Sequence, residues 1–487
     1  MHVLFATSES AGLAKTGGLA DVSASLPAAL RALGLDVRTI MPGYRTVLEH
    51  HPERRLIARL PGLGEIPPCT VEEIGAAGGT VYLVVAPTLF DRDGGPYADA
   101  EGGDWPDNDL RFARLGLAVA ELAAGAGGFP WPVDLVHMND WPASLAAGYL
   151  RWAGLATPAV LTVHNLAHQG VFDPARMGPL GIPAESFTMH GIEFHGRISF
   201  LKAGLFFSDH VATVSPTYAR EITTAASGCG LHGLLAGLAE ERRLTGILNG
   251  IDEDWVADAG AAVAANSRKA DEVRTGFCLE PSEGPLFGFV ARVDPQKGID
   301  VLIEGARRVV QRGGQLAILG MGHPALERQL VDLAKLYRGA VGAMINYAEP
   351  LARRIMTAAD FMLMPSRFEP CGLSQMYAQR LGSLPIAHAT GGLADTIRDG
   401  RTGFLYRDYA APHLVGAIDR AFAAYAERDR LEDMRRAARD ADFSWTASAE
   451  AYADLYATAM ARAAEIRGFR PVRRARSVPA LQGRLVA

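Results

Sequence analysis

Residues 2–42 read HVLFATSESAGLAKTGGLADVSASLPAALRALGLDVRTIMP. The opening HVLFA is a short apolar run and predicts a strand. A glycine-rich loop, ESAGLAKTGGLAD, follows it. VSASLPAALRALG then carries helical spacing and closes on Gly34, and LDVRTIMP predicts the next strand. A strand, loop, helix and strand in that order predict a parallel sheet with helices on both faces. The same pattern returns in VYLVVAP, DLVHMND and AVLTVHN, with HVATVS read as the last buried strand of this half. These runs are apolar throughout, as strands covered on both faces are.

Residues 249–281 are mixed and weakly patterned, and read as a linker with short helices. Beyond them LFGFVAR, QLAILGMG, GAMINY, FMLMPS and LPIAHAT predict a second set of buried strands. GIDVLIEGARRVVQRGG predicts a helix among them. Length alone would allow about three domains for 487 residues. The pattern instead predicts two α/β domains, 1–248 and 249–445. A helix over 446–465 and an arginine-rich, disordered tail over 466–487 follow them.

Net charge is -6, and the chain is 49% hydrophobic and 21% charged. That is the composition of a globular protein without the basic footprint of a nucleic-acid binder. The four cysteines, Cys69, Cys229, Cys278 and Cys371, form no C-x-x-C pair. Neither a zinc knuckle nor a disulfide framework is indicated, which fits a reducing compartment. No signal peptide is apparent, and the apolar stretch Leu115–Val133 is broken by Glu121, Gly128 and Pro130. A cytoplasmic protein with no nucleic-acid or membrane partner is expected.

In open parallel sheets, ligands bind beyond the carboxyl ends of the strands. The polar residues there are Lys15 to Gly18, Asp140 and His164-Asn165 in the first domain. In the second they are Arg292, Asp294 to Gly298, Glu369 to Gly372 and Thr390 to Gly392. An arginine fork and a lysine point charge at Arg292 and Lys297 suit a diphosphate, although two surface charges before a helix would read alike. KTGGLAD is neither a dinucleotide fingerprint nor a P-loop. H-E-x-x-H spacing and a G-x-S-x-G elbow are both missing, so no metal and no acyl transfer are expected. TGGLAD occurs twice, at Thr16–Asp21 and Thr390–Asp395. Each copy would place a turn without bulky side chains at a helix start, where backbone N–H groups can meet an anion or a sugar.

From Met1 to about Tyr456 the chain resembles the bacterial glycogen synthases and plant starch synthases, glycosyltransferase family 5. The resemblance is carried by KTGGLADV (Lys15–Val22), DWPDNDLRFA (Asp104–Ala113), DLVHMNDW (Asp134–Trp141) and LTVHNLAHQG (Leu161–Gly170). It continues through GILNGID (Gly246–Asp252), ARVDPQKG (Ala291–Gly298), SRFEPCGLSQ within Met364–Thr396, and FSWTASAEAY (Phe443–Tyr452). It implies the GT-B fold, two Rossmann-like doubly wound domains facing a central cleft, with the final helix crossing back to the first domain. It implies retaining transfer of glucose from ADP-glucose to an α-1,4-glucan, without a metal or other cofactor.

By the same resemblance, Arg292 and Lys297 would bind the diphosphate and stabilise charge on the departing ADP. Glu369 would hold glucose hydroxyls, His164 would lie at the glucosyl group, and Asp140 near the reaction centre. Lys15 and Gly18 would close over the phosphates. The helix after Cys371-Gly372 would add backbone donors, with Thr390 and Gly391 beside it. Asn249 and Asp21 are supporting candidates. Asp21 reads equally as a helix cap, Cys371 as a small buried thiol, and Tyr347 as either an adenine-stacking ring or part of the rim. Met138-Asn139, His232, His323 and His388 depart from the usual family pattern. They bear on acceptor preference and local charge rather than on reaction class.

Overall fold

The computed structural model describes residues 1–76, 78–253, 256, 266–346 and 348–468. The chain divides into two compact units. The first comprises Met1–Val214, Ala219–Ile247 and the chain from Trp445 onward; the second comprises Ser215–Tyr218 and Leu248–Ser444.

The first unit begins with β1 (His2–Ala6), β2 (Asp36–Pro42), β3 (Arg55–Leu60), β4 (Cys69–Ala76) and β5 (Gly79–Val85). It continues with β6 (Leu135–Asn139), β7 (Ala159–Val163), the short β8 (Val171–Phe172), β9 (Glu193–Phe194) and β10 (Arg197–Ser199), then β11 (His210–Thr213) and β12 (Leu244–Gly246). Nine strands form one sheet in the order β12-β11-β7-β6-β1-β2-β5-β4-β3, while β8, β10 and β9 form a small separate sheet. From β12 to β5 the pairing is parallel, as expected.

The edge departs from that expectation: β3, β4 and β5 run antiparallel. RLIARL and CTVEEIGA were not readable as buried parallel strands because they are not uniformly apolar. Val71 and Ile74 of β4 are buried while Thr70, Glu72 and Glu73 are not, the mark of a strand with one wetter face. HVATVS is the last fully buried strand of this half, as β11, and the three-residue, half-buried β12 pairs beyond it at the sheet edge.

The helix Gly18–Ala32 starts earlier than the VSASL reading, with Gly17 at its cap and no side-chain cap bond. Asp21 therefore lies in the first turn and does not cap the helix. The C-terminal helix, Trp445–Arg467, packs on this first unit. Its Tyr452, Leu455, Tyr456 and Ala459 share a core with Val3 and Phe5 of β1 and with Val22, Leu26 and Leu30 of the helix Gly18–Ala32. Arg467 ends the helix with Nη2 2.5 Å from Asp209 Oδ1. The remainder of the predicted tail, 469–487, lies outside the described residues.

The second unit holds β13 (Leu286–Val290), β14 (Gln315–Gly320), β15 (Val341–Ile345), β16 (Phe361–Met364), β17 (Leu384–His388) and β18 (Phe404–Tyr406). They form one all-parallel sheet in the order β15-β14-β13-β16-β17-β18. Phe287, Leu316, Ile318, Phe361 and Leu384 are fully buried at its centre. In each sheet the strand order reverses beside the first strand, between β1 and β6 and between β13 and β16. Loops on either side of such a reversal part and leave a crevice at the strand ends.

Candidate active site

In the first unit, the loops after β1, β6 and β7 build one polar cluster. Asp140 opens the helix Asp140–Trp152 directly after β6. Its φ of +54° is the left-handed region, which costs a side chain with a Cβ roughly 1–2 kcal/mol. Strain of that kind persists where neighbouring contacts enforce it, and it gathers at functional sites. Here Oδ1 accepts from His164 N at 2.7 Å and Asn165 N at 3.4 Å, tying the end of β6 to the end of β7. Burial pushes the Asp140 carboxyl up to about 7, against the pull of those two N–H groups. Burial likewise holds the His164 imidazole down to about 3, so the ring is neutral.

Glu9, in the loop after β1, was not singled out from the sequence. It is buried, with Oε2 accepting from Gly17 N at 3.1 Å and Oε1 accepting from the Tyr97 hydroxyl at 2.6 Å. The same carboxylate takes the Thr16 N–H at 2.5 Å, so it pins the KTGG turn from eight residues upstream. The available signal was an acid in a glycine-rich loop just past a strand. Lys15 Nζ donates to Asp21 Oδ1 at 2.7 Å, and both side chains remain about one-third exposed. That bond accounts for Asp21, which orients Lys15. Gly18 is the first residue of the helix.

In the second unit the loops after β13, β16 and β17 meet. Lys297 Nζ lies 2.5 Å from Glu369 Oε2, and the Ser366 hydroxyl donates to the same oxygen at 2.9 Å. Asp294 accepts from Lys297 N, closing the turn that aims the lysine. Gly298, at φ +71°, carries the chain so near the β16 loop that a Cβ would sit 1.9 Å from Pro365 O. Arg292 is different: it is mostly exposed, with Nη2 3.4 Å from Asp294 Oδ2. An exposed guanidinium this loosely held can turn toward an anion.

The second TGGLAD copy seats the Glu369 loop. Gly391 has φ +44°, and a Cβ on it would lie 1.9 Å from Glu369 O; Gly392 N donates to that oxygen at 3.0 Å. Thr390 is the buried residue before this short helix, Gly391–Thr396. Gly372 has φ +68° and precedes the helix Ser374–Arg380. That helix has only seven residues, so the dipole expected of it is small. Cys371 is buried and its thiol is pushed up to about 12 by burial, which makes it an inert packing group. Asn249 bonds to that sulfur. Its Oδ1 is a buried acceptor with no hydrogen-bond partner among the described residues, a vacancy a ligand hydroxyl can fill. Tyr347 lies outside the described residues.

Two of the unusual histidines have local explanations. His323 caps the helix Pro324–Leu336 by accepting from Ala325 N at 3.3 Å. The His388 ring lies between Ser366 O and Arg407 O, bracing the loop that carries Glu369. No group of three metal-ligating side chains occurs among the described residues.

Two family models match the chain. One, described as the starch synthase catalytic domain, matches residues 2–237; the other, glycosyl transferases group 1, matches residues 277–441. The chain is 49% identical over 464 residues to glycogen synthase of Pseudomonas savastanoi pv. phaseolicola, covering 93% of this chain and 96% of that one. It is 48% identical over 452 residues to glycogen synthase 1 of Bradyrhizobium diazoefficiens, covering 91% of this chain and 98% of the relative. Among solved structures it is similar to the catalytic domain of starch synthase IV from Arabidopsis thaliana bound to ADP and acarbose. The TM-score is 0.81 at 29% identity, over 94% of this chain and 99% of that one. Sucrose-phosphate synthase from Thermosynechococcus elongatus shares the fold, with a TM-score of 0.59 at 20% identity over 94% and 99% of the two chains.

Proposed function

Because this chain belongs to the glycogen and starch synthase family of glycosyltransferases, we propose that it makes glycogen in the cytoplasm. In this reading it transfers glucose from ADP-glucose to the non-reducing end of an α-1,4-glucan and retains the anomeric configuration. The observation that carries the reading is the Lys297–Glu369–Ser366 cluster at the ends of β13 and β16, on loops that also bring Arg292.

The second unit is assigned to the nucleotide sugar. Lys297 has three N–H donors and spends one on Glu369, leaving two for phosphate oxygens. Arg292 supplies a second cation that turns in when the diphosphate arrives. Fixed cations aimed at the oxygen where charge develops lower the barrier most. Glu369 keeps its second oxygen for glucose hydroxyls, and the Asn249 amide oxygen accepts another hydroxyl. The first unit is assigned to the glucan, with His164 at the transferred glucosyl group and Asp140 nearby. Lys15 and the helix start at Gly18 add positive potential for the phosphates.

Retention follows from attack on the face the ADP leaves, with the departing phosphate taking the acceptor proton. Neither carboxylate suits a covalent route. Glu369 Oε2 is already engaged by Lys297 and Ser366, and Asp140 is tied to two backbone N–H groups and raised toward protonation. Trapping a glucosyl ester on either would overturn this step. The overall reading is tested by glucose incorporation into a glycogen primer from ADP-glucose and from UDP-glucose. Preference for ADP-glucose, with ADP raising the unfolding temperature, is expected. Preference for UDP-glucose, or transfer only to a small acceptor, would replace it.

A further inference from the structure

Asn139 ends β6 and is fully buried. Its Nδ2 lies 3.1 Å from Ala6 O, which can only accept. The flipped amide would set two oxygens against each other, so the orientation is determined. Oδ1 is thereby turned to His164, 3.0 Å from Nε2. An amide oxygen can only accept, so Nε2 carries the proton and Nδ1 keeps a lone pair. The main chain of His164 is held separately, through its N–H to Asp140 Oδ1 at 2.7 Å. Two consecutive residues at the end of β6 thus clamp the ring and the backbone of one histidine.

We infer that Asn139 is a positioning residue that sets the ring plane and proton placement of His164, so that Nδ1 is presented as a hydrogen-bond acceptor to a hydroxyl of the transferred sugar. The inference rests on the reading that His164 lies at the glucosyl group, and it adds that His164 accepts there rather than acting as an acid. The titratable groups that face this histidine are His137 on β6, which is coupled to His164, and Asp140 at its main-chain N–H; Glu9, on the loop after β1, is in turn coupled to Asp140. His137 is itself neutral, held to about 3 by burial, and its two ring nitrogens are engaged by the Tyr456 and Thr162 hydroxyls at 2.7 Å each.

The test uses the full chain with 15N-labelled histidine, the His164 signals being assigned by their loss in His164→Gln. The parent is expected to show a protonated Nε2 and a bare Nδ1 from pH 5 to 8. Asn139→Leu removes the acceptor: the protected Nε2–H signal should vanish and turnover fall about 10–100-fold. Asn139→Asp keeps an acceptor but adds a charge that holds a second proton on the ring. The imidazolium has no Nδ1 lone pair. Activity of this variant relative to the parent should therefore be highest at alkaline pH and fall as pH drops through the raised imidazole pKa. A role confined to packing would lower activity by the same factor at every pH. Protonated Nδ1 in the parent, or an Asn139→Asp profile parallel to the parent's, would overturn the inference. If Asn139→Leu does not fold, the aspartate variant decides. The spectra need no substrate, so a parent that fails to use ADP-glucose refutes the proposed function without deciding the proton's place.

Discussion

Removing the Lys297 ammonium should have two consequences that can be separated. If Lys297 has the proposed leaving-group role, Lys297→Ala removes a fixed cation from the charge developing on the departing phosphate. The expected fall in kcat is about 10²-fold or more, close to 2.7 kcal/mol of transition-state stabilisation. The second consequence is structural. At 2.5 Å, with an effective dielectric of ~20, the gross attraction to Glu369 is about 7 kcal/mol. Desolvation offsets most of it, and breaking one side of a buried pair costs about 3–5 kcal/mol because the other charge is stranded. The two side chains keep 18% and 11% of their exposure, so about 3 kcal/mol is expected. Adding Glu369→Gln to the alanine variant removes the stranded charge. The double variant should recover roughly 2 kcal/mol of stability while its rate stays as low as that of the single variant or falls further. Urea unfolding and initial rates at saturating ADP-glucose and glycogen measure both. A Lys297→Ala rate within threefold of the parent would refute the leaving-group role. Equal stability of the single and double variants would refute the stranded-charge argument.

Asp140→Asn keeps an oxygen for the His164 N–H and tolerates positive φ, yet it cannot ionise. Burial raises the Asp140 carboxyl to about 7, so the folded parent favours the protonated form and loses stability as pH rises from about 4 to about 7. The stability of the variant relative to the parent should therefore grow across that window, by on the order of 2–4 kcal/mol; a difference that is flat with pH refutes the burial argument. The TGGLAD copies should respond oppositely to one extra methyl. Gly391→Ala meets Glu369 O at 1.9 Å with φ +44° and should unfold the loop or abolish turnover, whereas Gly17→Ala, with nothing within 4 Å of the new carbon, should change stability by under about 1 kcal/mol. Tyr456→Phe removes the hydroxyl 2.7 Å from His137 Nδ1 and should cost about 1–2 kcal/mol, read as a shift in the urea midpoint.

The two-unit α/β architecture was legible because strand, turn and helix signals are local. Residues 2–42 carry all three, and the loops that bear Asp140, His164, Arg292, Lys297 and Glu369 follow apolar runs that could hardly be anything but buried strands. The motifs that identify the family are local in the same way, since each is a contiguous segment. What required the tertiary structure is whatever depends on two distant segments meeting. The bond from Glu369 to Lys297 spans 72 positions, and the bond from Tyr456 to His137 spans 319. Glu9 clamps a turn seven to eight residues away, yet the bond that fixes its other oxygen comes from Tyr97, 88 residues away. TGGLAD marks the boundary between the two kinds of information. One hexapeptide starts a helix in both units, as its residues dictate. Its first glycine nevertheless sits at φ −153° as Gly17 and at +44° as Gly391, because only the second copy is pressed against the backbone of Glu369. Composition and spacing determine where a turn can form; the atoms that press on it from elsewhere in the chain determine its shape and its chemistry.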